Sequence, residues 1–312
     1  MTAQVTRTLM RSIFIDTMID ALATDSRVAL VTADISSWSF AEVRAQHPER
    51  VINVGIREQA MIGIAGGLAL TGFRPVVHTY TPFLVERPFE QLKIGLGHQG
   101  VGAVLVSIGG SYDDLPRGRT HQAPGDVPLL DTLPGWTVHV PGHEDEVEPL
   151  LRQALAGDGQ VYLRLSDHVH AESIPVSDKF TVLRQGSAGV VVAVGPMLRQ
   201  VLAATSTMDV TVLYASTIRP FDRAGLRAAV GASAPNVVLV EPYLRGTSAH
   251  EVAETLSDVP HRLRSHGVRR DEEVRAYGVA ADHDRLHGID AEGLAESIAA
   301  FLALDSTGRP SR

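Results

Sequence analysis

The sequence predicts an α/β protein of two consecutive domains, each a mainly parallel sheet flanked by helices. Three observations carry that prediction. β-branched runs alternate with helical patterns along the chain, as strands joined by crossover helices must. A length of 312 residues suits two domains of ordinary size better than one. A polar stretch from Asp167 to Gly186, holding Pro175, breaks the periodicity between the halves. The expected division is 1–170, a linker over 171–186, a second domain over 187–304 and a disordered tail over 305–312.

The N-terminal 25 residues read as an amphipathic helix, not a signal peptide, because no apolar block precedes a small-residue cleavage site. Arg27 to Ile35 reads as the first strand. Ile56 to Leu70 reads as a helix of Ile, Ala, Gly and Leu, apolar on most sides, and should be buried against another subunit. Pro75–Thr79 is a strand, Arg87–Gly97 a helix and Val101–Ile108 a strand. Gly109 to Asp126 then has no hydrophobic period, and a loop that long inside a domain points to function. Glu144–Ala156 is a helix and Val161–Ser166 closes the first sheet. In the second half Val190–Val194, Val210–Tyr214 and Val237–Val240 are strands, and the basic cluster His261–Arg270 reads as a solvated helix end or loop.

Composition narrows the function. At 44% hydrophobic and 21% charged the chain can bury a sizeable core, and its apolar runs are too short to cross a bilayer. A formal net charge of −8 argues against general nucleic-acid binding, which needs clustered cations. The absence of cysteine excludes disulfides and thiolate chemistry. With no targeting segment, the expected location is the cytoplasm.

Three groups of residues carry candidate chemistry. Glu58, beside Arg57, opens the apolar helix. It is either a helix-dipole carboxylate paired to a nearby base, or a buried carboxyl facing a ligand nitrogen. Tyr80 and Phe83 follow the carboxyl end of a strand, where open α/β sheets bind ligands, and either ring could stack on a heteroaromatic group. Thr120-His121-Gln122 sits in the long loop with three adjacent hydrogen-bonding side chains. No His or carboxylate pair has metal-ligand spacing, so no metal site is expected. Gly157-Asp158-Gly159 imitates a diphosphate and Mg²⁺ signature. That signature needs a downstream asparagine, and the chain's asparagines, Asn53 and Asn236, are misplaced, so the segment reads as a turn.

Together these groups resemble the C-terminal half of transketolases and deoxyxylulose-phosphate synthases. The match is colinear: Gly55-Ile56-Arg57-Glu58-Gln59-Ala60-Met61, then Gly72-Phe73-Arg74-Pro75, Tyr80 and Phe83, Thr120-His121-Gln122, and Arg164. Ile218-Arg219-Pro220-Phe221-Asp222 and Val240-Glu241-Pro242 extend it into the family's C-terminal domain. The resemblance implies a pyrimidine-binding domain for thiamine diphosphate followed by that C-terminal domain. It implies a separate diphosphate-binding partner subunit that holds most of the Mg²⁺, in an α2β2 assembly with self-association of this chain. Glu58 would face the pyrimidine nitrogen, Phe83 would stack on the ring, and Tyr80 and Ile56 would line the pocket. A carboxyl there favours the imino tautomer, whose nitrogen can take the weakly acidic thiazolium proton. A two-carbon ketol unit would then pass from a ketose to an aldehyde, with His121 hydrogen-bonding substrate oxygens.

Two departures bear on substrate. Arg117 stands where the family often has an acidic residue, and Ser107–Gly109 holds no histidine. Arg117, Arg119 and Arg164 are therefore candidates for binding phosphate or carboxylate. Two rival readings are the β subunit of a 2-oxoacid dehydrogenase and a non-catalytic scaffold or regulatory partner subunit. The Thr-His-Gln loop and the Arg57-Glu58-Gln59-Ala60-Met61 context favour the transketolase reading over the first, and Glu58, Phe83 and His121 favour it over the second.

Overall fold

The computed structural model describes residues 9–303. The start of the expected N-terminal helix and the expected tail lie outside the described residues; the helix itself runs Leu9–Thr24. The first sheet is built from β1 (Val28–Thr32), β2 (Val51–Asn53), β3 (Arg74–Tyr80), β4 (Val104–Ile108), β5 (Trp136–His139) and β6 (Gln160–Arg164). These six strands are parallel and lie in the spatial order β5-β6-β4-β3-β1-β2. Their side chains alternate between two apolar layers. Leu30, Val76 and Val104 face the helices Leu9–Thr24 and Val147–Ala156, while Val31, Val77 and Leu105 face Met61, Leu92 and Leu96. Burial on both faces explains why these strands read as unbroken apolar runs.

Connections leave β1 toward β2 on one side and β3 on the other, so the carboxyl edge opens at that reversal. Helix Glu58–Leu70 follows β2, and Tyr80 ends β3. The expected 87–97 helix instead starts at Pro82 and runs through two wide π turns, Pro82–Glu86 and Leu92–His98. Pro88 lies between them and has no amide hydrogen to offer an α-helical ladder.

The second sheet has β7 (Thr181–Arg184), β8 (Val190–Val194), β9 (Thr211–Ala215), β11 (Asn236–Leu244) and β12 (Arg262–Val268), in the order β12-β11-β8-β9-β7. Only β7 is antiparallel there. Three differences from the sequence reading stand out. The last part of the expected linker is β7, an edge strand of the second sheet. The basic cluster is the edge strand β12, not a loop, and Arg262 and Arg264 lie over the Phe301 ring; cations on an edge also discourage pairing with another chain. Finally β10 (Thr217–Arg219) leaves the second half and pairs antiparallel with β5 of the first sheet, where three residues gave no periodic signal. Gly157-Asp158-Gly159 is the expected turn between helix Val147–Ala156 and β6.

Candidate active site

Glu58 is the first residue of its helix, where the exposed amides favour a carboxylate. Its side chain is only 3% exposed and accepts a 2.6 Å hydrogen bond from Arg87 Nη1. The carboxyl is therefore buried and also paired to a base, and the base is Arg87, not Arg57. Sequence reasoning missed Arg87. Its guanidinium also lies 4.1 Å from the centroid of the Phe83 ring. The spacing of Phe83 and Arg87, four apart in a helical stretch, was the available signal.

Tyr80, Phe83 and His121 converge on the same place. The His121 ring meets Tyr80 edge-to-face at 5.1 Å and Phe83 at 5.0 Å, and the two aromatic rings are 6.1 Å apart. The loop comes this close because Gly109 has no side chain: a Cβ there would lie 2.7 Å from Tyr80 Cδ1, and its φ is +72°. Burial and then Arg117 hold the His121 imidazole below its usual pKa, so its neutral form is favoured. Burial, then Asp114, raises the Tyr80 phenol. Nearby, Asn53 Oδ1 accepts from the amides of Asp34 and Gly55, bracing the segment that leads into Glu58. Asp34 and Ser36, just beyond β1, both adopt left-handed backbone, a local strain of the kind that clusters at functional sites.

The four remaining candidates are placed differently. Arg117 stands beside the aromatic cluster, 5.8 Å from the Tyr80 ring, and pairs with Asp114 at 2.8 Å. Arg119 is committed to Glu273 at 2.7 Å and to the Gln122 carbonyl at 2.6 Å. Ile56 is 71% exposed on the single chain. Arg164 is buried and pairs with Asp126 at 2.6 Å, so in this arrangement it serves packing and cannot meet a solute. Burial alone would lower the Arg164 pKa, but the Asp126 carboxylate outweighs it and holds the guanidinium above its usual value. Arg164 Nη2 also donates to Ser111 Oγ, and Ser111 donates to the carbonyl of Pro242 in β11. This buried chain ties the start of the long loop to the second domain.

A flat guanidinium thus lies between a buried acceptor and a ring face. The site suits a flat group that stacks on Phe83 and presents an N–H to Glu58, as an aminopyrimidine does.

Residues 7–169 match the family described as transketolase, pyrimidine binding domain, and residues 178–294 match transketolase, C-terminal domain. The chain belongs to the transketolase family. An uncharacterised 33.6 kDa protein in the fasciation locus of Rhodococcoides fascians is 57% identical over 92% of each chain. A 6-deoxy-6-sulfo-D-fructose transketolase subunit of Clostridium sp. (strain MSTE9) is 31% identical over 83% of this chain and 84% of its own. Among solved structures, a split-gene transketolase in an inactive β4 tetramer shares the fold with a TM-score of 0.80 and 24% identity, over 94% of this chain and 97% of that one. Residues 170–177 lie between the two matches. No helix among the described residues is long and apolar enough to cross a membrane.

Proposed function

We propose that this chain is the pyrimidine-binding subunit of a heteromeric thiamine-diphosphate-dependent transketolase. A separate polypeptide would grip the cofactor's diphosphate and its Mg²⁺. The reading rests chiefly on Glu58, a buried carboxyl aimed at a flat group on the Phe83 ring. When bound, the cofactor would supply the carbon that carries a two-carbon ketol unit from a ketose to an aldehyde.

The residues of this chain have separate tasks in that reading. Glu58 holds a proton between its carboxyl and the pyrimidine nitrogen, which biases the ring toward its imino tautomer. Phe83 stacks on the ring and Tyr80 closes its side. His121, kept neutral by burial and by Arg117, exchanges hydrogen bonds with substrate oxygens. Arg87, lying over the Phe83 ring and bonded to Glu58, would move aside to admit the pyrimidine. Arg117, where relatives of this kind often carry an acid, favours an anionic substrate.

Support for partnership comes from the relatives named as transketolase subunits and from the surface of helix Glu58–Leu70. Ile56, Ile64, Leu70 and neighbouring Ile94 are exposed on the single chain, an apolar stripe that self-association in an α2β2 complex would cover. The decisive experiment combines this chain with a candidate diphosphate-binding subunit, thiamine diphosphate and Mg²⁺, and assays ketol transfer. Transfer that needs both chains supports the reading. Decarboxylation of 2-oxoacids without ketol transfer, or full activity of the second chain alone, defeats it.

A further inference from the structure

The loop that carries His121 is held from the second domain. Between β12 and helix Ala280–His287 the chain runs without helix or strand over residues 269–279, and this strap reaches back to the loop. It touches the loop at two adjacent residues. Glu273 Oε1 accepts from Arg119 Nε at 2.7 Å, and the Tyr277 ring rests on Gly118. A Cβ on Gly118 would lie 3.0 Å from the Tyr277 hydroxyl and 3.2 Å from its ring. The φ of +68° and ψ of −164° there are open to glycine almost alone. Gly118 thus serves both the turn and the ring that covers it.

The strap is itself anchored. His283, 1% exposed, bonds the Ala276 carbonyl through Nε2 at 2.9 Å. Arg270 Nε donates to the Arg245 carbonyl at 2.7 Å. Tyr112 packs on His283 and His287 at 5.1 and 5.4 Å and bonds Asp284. A cavity of about 330 Å³, lined by Arg119, Gln122, Glu273 and His283 among others, lies between loop and strap. A void supplies no packing contacts, so it cannot fix the loop's position.

We propose that strap 269–279 is a positioning element, in which Glu273 and Tyr277 hold Gly118–Arg119 and thereby set where His121 stands against Tyr80 and Phe83. The positioning itself is independent of the functional reading; its kinetic consequence rests on that reading. The Arg119–Glu273 pair is exposed and individually weak, so the hold depends on the Tyr277 contact as well.

Hydrogen exchange on the full chain tests it directly. The amides of Gly118, His121 and Gln122 are bonded within the loop, to the carbonyls of Leu115, Gly118 and Arg119 respectively, and report its opening. Glu273→Ala with Tyr277→Ala should speed their exchange by about tenfold or more while leaving β3 and β4 unchanged. Tyr277→Phe keeps the ring and should match the parent. Arg119→Glu combined with Glu273→Arg should restore protection that either charge change alone removes. Unaltered loop exchange in the double alanine variant would overturn the proposal. In a reconstituted complex the same variant should raise the ketose KM about tenfold and leave kcat within about threefold. Absence of ketol transfer with the parent chain would refute the functional reading, and the exchange result would still decide the strap.

Discussion

Arg87 donates to Glu58 at 2.6 Å while its guanidinium covers the Phe83 ring at 4.1 Å. One flat cation thereby satisfies a buried acid and occupies an aromatic face at once. Replacing it leaves the Glu58 carboxyl buried without a partner. Arg87→Ala should therefore destabilise the isolated chain by about 1–3 kcal/mol, measured by urea unfolding. Much of that loss should return in the cofactor-loaded complex, where the pyrimidine takes the guanidinium's place. An equal loss in both states would contradict the shared seat.

Glu58→Gln keeps the size and most of the hydrogen bonding but cannot hold the proton. Turnover of the reconstituted complex should fall by about 100-fold or more, while circular dichroism and the melting transition of the chain stay close to the parent's. Near-normal turnover would remove the central residue of the proposed function.

His121→Ala removes the edge that meets Tyr80 and Phe83 and the donor offered to substrate. The expected result is a raised KM for the ketose and a fall in kcat/KM of about 10- to 100-fold. Cofactor affinity in the complex, followed by titration, should change little. A selective loss of cofactor binding would move His121 from the substrate side of the site to the cofactor side.

Asp126→Ala should be among the most destabilising single changes in the chain. It strands the Arg164 guanidinium, whose side chain is 1% exposed, and removes the acceptor of the Tyr162 hydroxyl. Loss of one partner of a buried pair costs about 3–5 kcal/mol, read as a lower denaturation midpoint. Arg164→Met with Asp126→Leu should recover part of it, since an apolar pair leaves no uncompensated charge.

Acid stability should be governed in part by His78. Its Nδ1 faces the Val106 carbonyl at 2.8 Å and so carries the hydrogen, leaving Nε2 to accept from Ser36 Oγ at 2.8 Å. Burial pushes this imidazole down to about 3, with nearby Arg11 adding to the effect. A lowered folded-state pKa favours folding above the unfolded value near 6.5 and loses that contribution as pH falls toward 3. The loss across that window is on the order of 5 kcal/mol. Urea unfolding at successive pH values should show it, and His78→Gln should flatten the slope.

The candidate site was legible where one residue type in one local context limits the chemistry. Glu58 opening an apolar helix, Tyr80 and Phe83 beyond a strand end, and His121 in an aperiodic loop were each visible as oddities of pattern, and the fold brings them together. The strands were legible because burial on both faces writes unbroken β-branched runs. Short or edge elements were not: β7 and β10 are too brief and too polar to impose a period, and β12 carries its arginines on an edge where nothing forbids them.

Pattern and composition by themselves determined two α/β halves and picked out the residues that crowd the carboxyl edge of the first sheet. Hydrophobic periodicity and turn chemistry act over a few residues, and a linear reading can follow them. Only the tertiary structure decided which charges meet. Arg87 joins Glu58 across 29 positions, Arg164 joins Asp126 across 38, and Arg119 joins Glu273 across 154. Such pairings depend on distance in space and on what else is buried there, and neither is set by order along the chain.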